Sequence, residues 1–414
     1  MSVSTDFNNT ILVDKQNFDE TRKTIPFFAR KAFDLLVKIE KGKLLLQLPG
    51  GTQYAFESGS PGPEAHIVLH SWRLPRKVIT SGTIGVAESY MDGDWDSSDV
   101  TQMLEFFLQN RKVYEGVASQ SPIINLIENA RHWLNRNSKS GSKRNISAHY
   151  DLGNDFYSFW LDPSMTYSSA IYEDGANSLE RAQEDKYHSL AKNMGITPDS
   201  HVLEIGCGWG GFAEYVAREI GARVTGLTIS REQLDFAQQR IQKASLGDKV
   251  QFKFQDYRDE TNTYDQIASI EMFEAVGEKY WPVYFEKIGA CLKPDGVAGL
   301  QIITIADAGF ENYRKRADFI QRYIFPGGML PSPLALEAVT ASKGLKLVNE
   351  RAFALDYAKT LREWRGRFWD KWDDIKALGF DERFKRMWEF YFYYCEAGFK
   401  TQAIDVRQMF YKHS

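Results

Sequence analysis

The N-terminal third of the chain carries short helical and strand-like patterns of apolar side chains. Residues 26–39 place apolar side chains at the spacing of an amphipathic helix. Residues 44–48, 53–56 and 67–69 are short apolar runs typical of strands. A second helical pattern runs from Val100 to Phe107. These elements predict a small α+β domain.

A regular alternation of strand and helix patterns begins near residue 202. The predicted strands are residues 202–205, 223–227, 251–254, 266–270 and 297–303, and the first two predicted helices are residues 211–220 and 232–244. Such alternation is typical of a parallel sheet that helices cover on both faces. We therefore predict an α/β fold of the Rossmann-like kind for this part of the chain.

A polar segment separates the two patterned regions. Residues 135–147 have no acidic side chain and include four cations, which we call the linker cations: Arg136, Lys139, Lys143 and Arg144. We predict a linker here, with an N-terminal domain over residues 1–134 and a second domain over residues 148–414. The linker cations suit an anionic phospholipid surface, and a solvated tether is the alternative. The apolar helical stripe before the linker, with Trp133 beside it, suits either a core or a membrane contact.

Composition narrows the class of protein. A chain of 414 residues with 43% hydrophobic residues can bury a substantial core and form two domains, and a net charge of -4 argues against a dedicated nucleic-acid binder. The three cysteines are Cys207, Cys291 and Cys395, which are too scattered for a disulfide framework or a metal site. No N-terminal signal pattern and no apolar run of about 20 residues is present. We expect a cytoplasmic protein, with no metal, that is soluble or peripheral at a membrane.

The strongest candidate for a ligand site is the glycine-rich run that follows the first strand of the second domain. Gly206, Gly208 and Gly211 match the dinucleotide spacing, which predicts a carboxylate about 20 residues further on, at the end of the second strand. That strand ends Gly226-Leu-Thr-Ile-Ser230, without an acid. The acid instead lies inside the first strand, as Glu204. This pattern favours S-adenosylmethionine over NAD, while an NAD-dependent oxidoreductase and a ligand-free packing turn are the alternatives.

Several motifs resemble the cyclopropane-fatty-acyl-phospholipid synthase family, which includes the mycolic-acid cyclopropane synthases. The segments that carry the resemblance are Ala148-His-Tyr-Asp-Leu-Gly-Asn-Asp155, Leu161-Asp-Pro-Ser-Met-Thr-Tyr-Ser168, Glu204-Ile-Gly-Cys-Gly-Trp-Gly-Gly211, Gln255-Asp-Tyr-Arg-Asp259, Met272-Phe-Glu274 and Tyr323-Ile-Phe-Pro-Gly-Gly-Met-Leu-Pro331. The likeness covers essentially the whole chain. It implies a class I methyltransferase sheet with helical insertions, which follows the small N-terminal domain in the sequence.

The resemblance also implies which residues contact S-adenosylmethionine. Tyr150 and Tyr167 match aromatic residues that close over the cofactor, and Gly206 and Gly208 match the family's glycine loop beside Glu204. Four more positions match contacts to the rest of the cofactor: Thr228 and Gln233 for the ribose and methionine portions, and Asp256 and Tyr257 for the adenine side.

The reaction that the resemblance implies explains an aromatic-rich site. The methyl group of a sulfonium is attacked by the π electrons of a cis double bond in a lipid chain, and the neighbouring carbon becomes cationic. Aromatic faces stabilise such a cation without reacting with it, by roughly 0.5 to 2 kcal/mol for each contact. Aromatic residues make up 14% of this chain. The implied substrate is an unsaturated phospholipid in a membrane, reached by transient peripheral contact.

A proton must then leave, and the resemblance implies bicarbonate as the base. Glu274, Tyr357 and the backbone of Ile303 match three of the family's five contacts to it. Ser169 stands where the family usually has Cys, and Gln301 where it usually has His. Both replacements still form hydrogen bonds, but neither supplies the charge of an imidazolium. Bicarbonate binding and ring closure therefore stay open.

Three outcomes are compatible with these residues. The first is a cyclopropane ring on the acyl chain, formed by the methylene group that remains after proton loss. The second is a methyl-branched or methylene product, which results when the proton leaves a different carbon. The third is a lipid-binding homologue without catalysis, for which Ser169 and Gln301 are the only support. A homodimer is among the assemblies that the sequence allows.

Overall fold

The computed structural model describes residues 10–114, 152–173 and 178–414. The described residues form two compact units. The first contains residues 10–114, 316–319 and 379–403. The second contains the remaining described residues. The linker cations, Trp133 and Tyr150 lie outside the described residues.

The first unit is built on a five-stranded sheet of order β1-β3-β2-β4-β5. Its elements up to residue 114 are β1 (Ile11–Leu12), α1 (Phe18–Thr24), α2 (Arg30–Leu36), β2 (Lys43–Gln47), β3 (Gln53–Glu57), β4 (Glu64–Leu69), α3 (Arg73–Met91), β5 (Trp95–Asp96), α4 (Val100–Gln109) and α5 (Arg111–Tyr114). β2 and β3 pair as an antiparallel hairpin, and β2 and β4 pair in parallel. The α+β domain predicted from the periodicity is confirmed, including its three apolar strands.

The second unit is built on a seven-stranded sheet of order β11-β12-β10-β9-β6-β7-β8. Its elements before residue 300 are α6 (Asn154–Ser158), α7 (Leu179–Met194), β6 (His201–Ile205), α8 (Gly211–Tyr215), β7 (Arg223–Thr228), α9 (Arg231–Lys243), β8 (Val250–Phe254), β9 (Tyr264–Ile270), α10 (Trp281–Cys291) and the start of β10 (Leu292–Ile305). The later elements are α11 (Asp307–Tyr313), α12 (Pro333–Ala341), β11 (Leu345–Ala352), α13 (Ala354–Asp370), α14 (Trp372–Ala377) and, after helix α15 (Glu382–Lys400), strand β12 (Ile404–His413).

The predicted parallel sheet is confirmed for five strands, β6 to β10, which pair in parallel. The sheet also has an edge that the alternation did not predict, since β12 runs antiparallel to both β10 and β11. Two apolar cores cover the two faces. One includes Ile288 of α10 and Leu336 of α12, and the other includes Leu190 of α7 and Ala237 of α9.

The strand order reverses beside β6. From β6 the chain adds β7 and then β8 on one side, whereas β9 and then β10 lie on the other side. The loops that follow β6 and β9 therefore diverge above the sheet and leave a crevice between them. In open α/β sheets, ligands bind in this crevice at the carboxyl ends of the strands.

Helix α15 belongs to the first unit, where it packs against α3 and α4. Its aromatic side chains Trp388, Phe390 and Phe392 are buried, as expected for a run that forms core. The predicted division placed residues 379–403 with the second domain, so the structure groups this helix differently. The pattern of a helix does not reveal which of two cores it joins. Across the described ranges, no helix combines the length and apolarity needed to span a bilayer.

Candidate active site

The glycine loop after β6 lies where the strand order of the sheet reverses, which we call the switch point. The backbone N–H groups of Gly206 and Cys207 donate to the carbonyl oxygen of Leu227, at 3.0 and 2.9 Å, which fastens the loop to the end of β7. Gly206 and Gly208 have φ angles of 81° and 51°, in the region that favours glycine. A Cβ atom on Gly206 would lie 2.6 Å from Cγ of Met272, whereas one on Gly208 would have no heavy atom within 4 Å. Gly206 is therefore required for packing, and Gly208 borders open space where a ligand fits against the backbone.

Thr228, the last residue of β7, meets Gln233 in the first turn of α9. The Thr228 hydroxyl donates to Oε1 of Gln233 at 3.0 Å, and it accepts the backbone N–H of Ser230 at 3.1 Å. The Ser230 side chain caps helix α9 by accepting from the backbone N–H of Gln233. The two predicted ribose and methionine contacts thus sit on the strand-to-helix turn that follows the second strand.

Asp256 and Tyr257 follow the end of β8. Both carboxylate oxygens of Asp256 accept hydrogen bonds from Arg258, at 2.8 Å from Nε and 2.6 Å from the terminal nitrogen. The ring of Tyr257 packs edge-on against Tyr284 at 5.3 Å, and burial raises the pKa of Tyr257 to about 12. The Arg258 pairing was not predicted. A role for either residue at the adenine side stays a prediction.

Tyr167 lies in a group of aromatic rings that we call the aromatic cluster. Its members are Tyr157, Trp160, Tyr167, Phe325 and Trp364, with ring centres 5.4 to 6.1 Å from that of Tyr167. Trp364 also meets the ring of Tyr357 at 6.1 Å, nearly perpendicular. The positions predicted to hold the base, which we call the base site, are Ser169, Glu274, Gln301, Ile303 and Tyr357. The aromatic cluster therefore extends to Tyr357 of the base site, and it offers apolar walls for an acyl chain. The predicted partner of Tyr167, Tyr150, is outside the described residues.

A carboxylate that the sequence interpretation missed lies at the centre of the predicted base site. Oε1 of Glu271, which follows β9, accepts the backbone N–H of Ser169 and the side-chain amide of Gln301, both at 2.8 Å. Oε2 accepts the hydroxyl of Tyr357 at 2.7 Å. The structure brings the predicted residues together, but their donors point to Glu271. Its position at the carboxyl end of a strand is the one signal that the sequence offered.

Glu274 lies three residues after Glu271 and differs from it in its contacts. Oε1 of Glu274 accepts the backbone N–H of Ile303 at 2.5 Å, which locates the predicted backbone contact of Ile303. Oε2 is buried and has no hydrogen-bond partner among the described residues. Burial and the nearby Glu271 carboxylate raise the pKa of Glu274 to about 8. Burial therefore favours the protonated form of Glu274.

A buried lysine, also missed from the sequence, interacts electrostatically with Glu271. Nζ of Lys186 on α7 donates to the hydroxyl of Ser168 at 2.7 Å, and its side chain is fully buried. Burial lowers the pKa of Lys186 to about 7, although the carboxylates of Glu271, Asp162 and Glu204 oppose that shift. A lysine on an amphipathic helix gives no sequence signal for such burial.

Glu204 is buried within β6, beneath the glycine loop. Burial raises the pKa of its carboxyl well above the usual range, and the charge of Lys186 opposes this. Its Oε2 atom has no hydrogen-bond partner within the described part of the chain. The acid of the glycine motif is thus part of the buried charge network with Lys186, and its predicted contact to the cofactor stays a prediction.

Gln301 is held in one orientation by a second glutamine. Its Oε1 accepts from Nε2 of Gln408 on β12 at 3.2 Å, and Gln408 in turn accepts the hydroxyl of Ser189 at 2.8 Å. The Gln301 amide nitrogen therefore faces Glu271 and the carbonyl oxygen of Ser169. The described ranges contain no group of three or more His, Cys, Asp or Glu side chains suited to a metal ion.

Comparison with known proteins identifies the family. Residues 137–409 match the family described as mycolic acid cyclopropane synthetase, which is more than half of the chain. The chain belongs to this family. Members of the mycolic acid cyclopropane synthetase family are S-adenosylmethionine-dependent methyltransferases, and the resemblance noted from the sequence motifs is confirmed.

Two relatives match over most of their length. Tuberculostearic acid methyltransferase UfaA1 of Mycobacterium tuberculosis is 38% identical over 354 residues, which is 81% of this chain and 80% of the relative. Cyclopropane-fatty-acyl-phospholipid synthase of Escherichia coli strain K12 is 35% identical over 348 residues, which is 81% of this chain and 84% of the relative. The names of these two relatives describe different products.

A solved mycolic acid cyclopropane synthase is similar in structure to this chain. The crystal structure of mycolic acid cyclopropane synthase CmaA1, complexed with SAH and CTAB, matches with a TM-score of 0.61 and 28% sequence identity. The match covers 65% of this chain and 97% of CmaA1. The predicted class I methyltransferase fold is confirmed.

Proposed function

We propose that this chain transfers the methyl group of S-adenosylmethionine to the cis double bond of an unsaturated phospholipid acyl chain and closes a cyclopropane ring. The observation that carries this proposal is the meeting of two regions at the switch point. We call the glycine loop at residues 206–208, with the open space beside Gly208, the cradle. The cradle follows β6, and the Glu271 and Glu274 carboxyls follow the adjacent β9. The sheet thus places an open glycine loop and the Glu271 carboxylate, a group that can take a proton, at the ends of adjacent strands.

The residues of the cradle suit the cofactor. The backbone at Gly208 lets a ligand approach closely, and Thr228 and Gln233 provide polar groups at the end of the neighbouring strand β7. When bound, S-adenosylmethionine supplies an electrophilic methyl group to the alkene. The aromatic cluster surrounding Tyr167 excludes water and offers ring faces to a cationic acyl carbon.

The fate of the cationic acyl chain depends on which proton is removed. If the base takes a proton from the transferred methyl group, that C–H electron pair forms the third bond of the ring. If it takes a proton from a neighbouring chain carbon, a branched chain with a double bond remains. The second outcome is our alternative, because one relative is named a tuberculostearic acid methyltransferase and because Ser169 and Gln301 depart from the family's usual residues.

Lipid analysis tests the proposal. The chain is expressed in a host rich in cis-monounsaturated phospholipids, and the extracted acyl chains are analysed by mass spectrometry before and after ozonolysis. We expect a gain of one CH2 group in a chain that resists ozonolysis, since a ring has no double bond. A product of the same mass that ozone cleaves would support the branched alternative. No mass gain, with the protein folded and S-adenosylmethionine supplied, would contradict both.

We also propose that the enzyme acts in the cytoplasm at the inner face of a membrane, where it meets its lipid substrate. Two features support membrane contact. The linker cations suit anionic headgroups, and in the first unit Phe27 is 84% exposed, with the guanidinium of Arg30 5.9 Å from its ring centre. An exposed aromatic ring beside an arginine suits an anionic bilayer surface.

Vesicle sedimentation tests this contact. Binding to anionic vesicles should weaken as salt shortens the screening length from about 10 Å at 0.1 M to about 3 Å at 1 M. A variant with all four linker cations changed to Gln, and separately Phe27→Ser, should each bind less at low salt. Equal binding by wild type and both variants would show that neither feature contacts lipid.

A further inference from the structure

We propose that the carboxylate of Glu271 is the built-in base of this site and takes the place of the bicarbonate that the family resemblance implies. This inference rests on the proposed function, since it identifies the group that removes the proton after methyl transfer. It also explains why Ser169 and Gln301 stand at positions where the family usually has Cys and His.

The donors that were expected to hold an external anion are already engaged. The Ser169 N–H, the Gln301 amide and the Tyr357 hydroxyl donate to the two oxygens of Glu271 at 2.7 to 2.8 Å. The Ser169 hydroxyl donates to the carbonyl oxygen of Ala170, and the Ile303 N–H donates to Glu274. Bicarbonate would find the donors of Ser169, Gln301, Tyr357 and Ile303 already engaged, and only Oε2 of Glu274, an oxygen rather than an N–H donor, lacks a partner among the described residues. These residues therefore do not fit it.

Electrostatic repulsion also argues against bicarbonate in this site. A bicarbonate anion at these donors would stand beside the carboxylate of Glu271, in a partly buried site where like charges repel strongly. The positive charge of Lys186 is within electrostatic range of Glu271. Three hydrogen-bond donors therefore already serve a single anion, and the chain itself provides that anion.

The backbone at Glu271 is held in a strained conformation that aims the side chain. Its φ angle is 50°, a region that non-glycine residues rarely occupy. Its N–H donates to the carbonyl oxygen of Gln301 at 2.8 Å, which fixes this conformation against β10. Strained residues of this kind persist where the surrounding structure determines them, and they concentrate at functional sites.

The proton balance needs no further reactant. A carboxylate oxygen has two lone pairs, and the Tyr357 hydroxyl uses one lone pair of Oε2. The second lone pair can take a proton from the methylated, cationic acyl chain, whose C–H electron pair then forms the new carbon–carbon bond. Glu271 becomes neutral, and it returns to the carboxylate when the proton passes to water after the product leaves.

The strained backbone suggests a decisive variant. Glu271→Gly removes the carboxylate, tolerates a φ of 50°, and frees the donors of Ser169, Gln301 and Tyr357 for an added anion. In bicarbonate-free buffer we expect wild type to keep its full rate and Glu271→Gly to lose about 100-fold or more, the usual worth of a general base. Added bicarbonate or formate should restore part of the variant's activity and leave wild type unchanged.

Calorimetry provides a readout independent of turnover. Titration of bicarbonate should produce no binding heat with wild type and a binding isotherm with Glu271→Gly. Glu271→Gln tests the charge alone: it should be equally inactive, and added anions should not restore it because the amide still fills the space. Glu286→Gln removes an exposed carboxylate that is paired with Lys343, and it should behave as wild type.

Three results would overturn the inference. The first is a wild-type enzyme that binds bicarbonate or stops when bicarbonate is stripped and recovers on its return. The second is a Glu271→Gly variant with the wild-type rate. The third is a Glu271→Gly variant that binds S-adenosylmethionine normally but is inactive and recovers with no anion, which would assign Glu271 a structural role. Failure of wild type to modify lipid at all would count against the proposed function instead.

Discussion

The cofactor cradle and the base site lie at the same edge of the sheet, but different chemical groups form them. The cradle is chiefly backbone: a glycine loop fastened to the end of β7, with open space beside Gly208. The base site is chiefly side chains, with two carboxyls, an amide and a phenol joined by short hydrogen bonds over the buried ammonium of Lys186.

Because they are built differently, the two regions contribute to the reaction in different ways: one binds the cofactor and the other moves a proton. A backbone surface without charge can bind a cofactor through shape and N–H groups, and its residues add nothing that titrates. A cluster of buried ionisable groups can move a proton, because burial and mutual repulsion bring their pKa values toward neutrality. Changes in the cradle should therefore alter cofactor affinity, whereas changes in the base site should alter turnover and pH dependence.

The largest effect is expected in the cradle. Gly208→Val should abolish S-adenosylmethionine binding, because the added side chain fills the open space against the loop. Calorimetric titration measures this directly. Gly344→Val is a matched control, since Gly344 also has a positive φ, 69°, with open surroundings, but precedes the edge strand β11. Undiminished affinity in a folded Gly208→Val variant would remove the loop from the binding site.

The next effect separates the two carboxyls of the base site. Glu274→Gln resembles the protonated carboxyl that we expect at neutral pH, so its turnover should stay within about tenfold of wild type, whereas Glu271→Gln should lose about 100-fold or more. Cofactor affinity should be unchanged in both. Steady-state rates combined with calorimetry provide the comparison. The reverse order of effects would assign the proton transfer to Glu274.

The smallest effect concerns stability. The pKa values of Glu271 and Glu274 are both raised by burial, that of Glu274 from 4.5 to about 8. Between pH 4.5 and about 8, Glu274 keeps its proton in the folded chain and releases it in the unfolded chain. The free energy of unfolding should therefore fall as pH rises from 5 to 7. Urea unfolding of Glu274→Gln should show a slope shallower by about 1.4 kcal/mol per pH unit. Identical slopes would mean that Glu274 ionises normally.

The two regions also differ in how far the sequence predicted them. The strand, glycine loop and helix at residues 201–215 are contiguous, and their apolar period and glycines predicted the structure that is observed. Ser169, Gln301 and Tyr357 were expected to meet, and they do. Their shared partner, Glu271, was missed, and the bicarbonate contacts implied for them are occupied by this carboxylate. The antiparallel edge strand β12 was also missed.

The sequence by itself determined the elements whose signal is local: the α/β alternation, the glycine loop and the family. Periodicity and backbone requirements act over a few residues, so they can be read along the chain. Only the tertiary structure decided which charge the base site holds. Glu271 gains its three donors from segments near residues 169, 301 and 357, and Lys186 gains its neighbours by burial. Hydrogen bonds and desolvation depend on distances in space, which spacing along the chain does not specify.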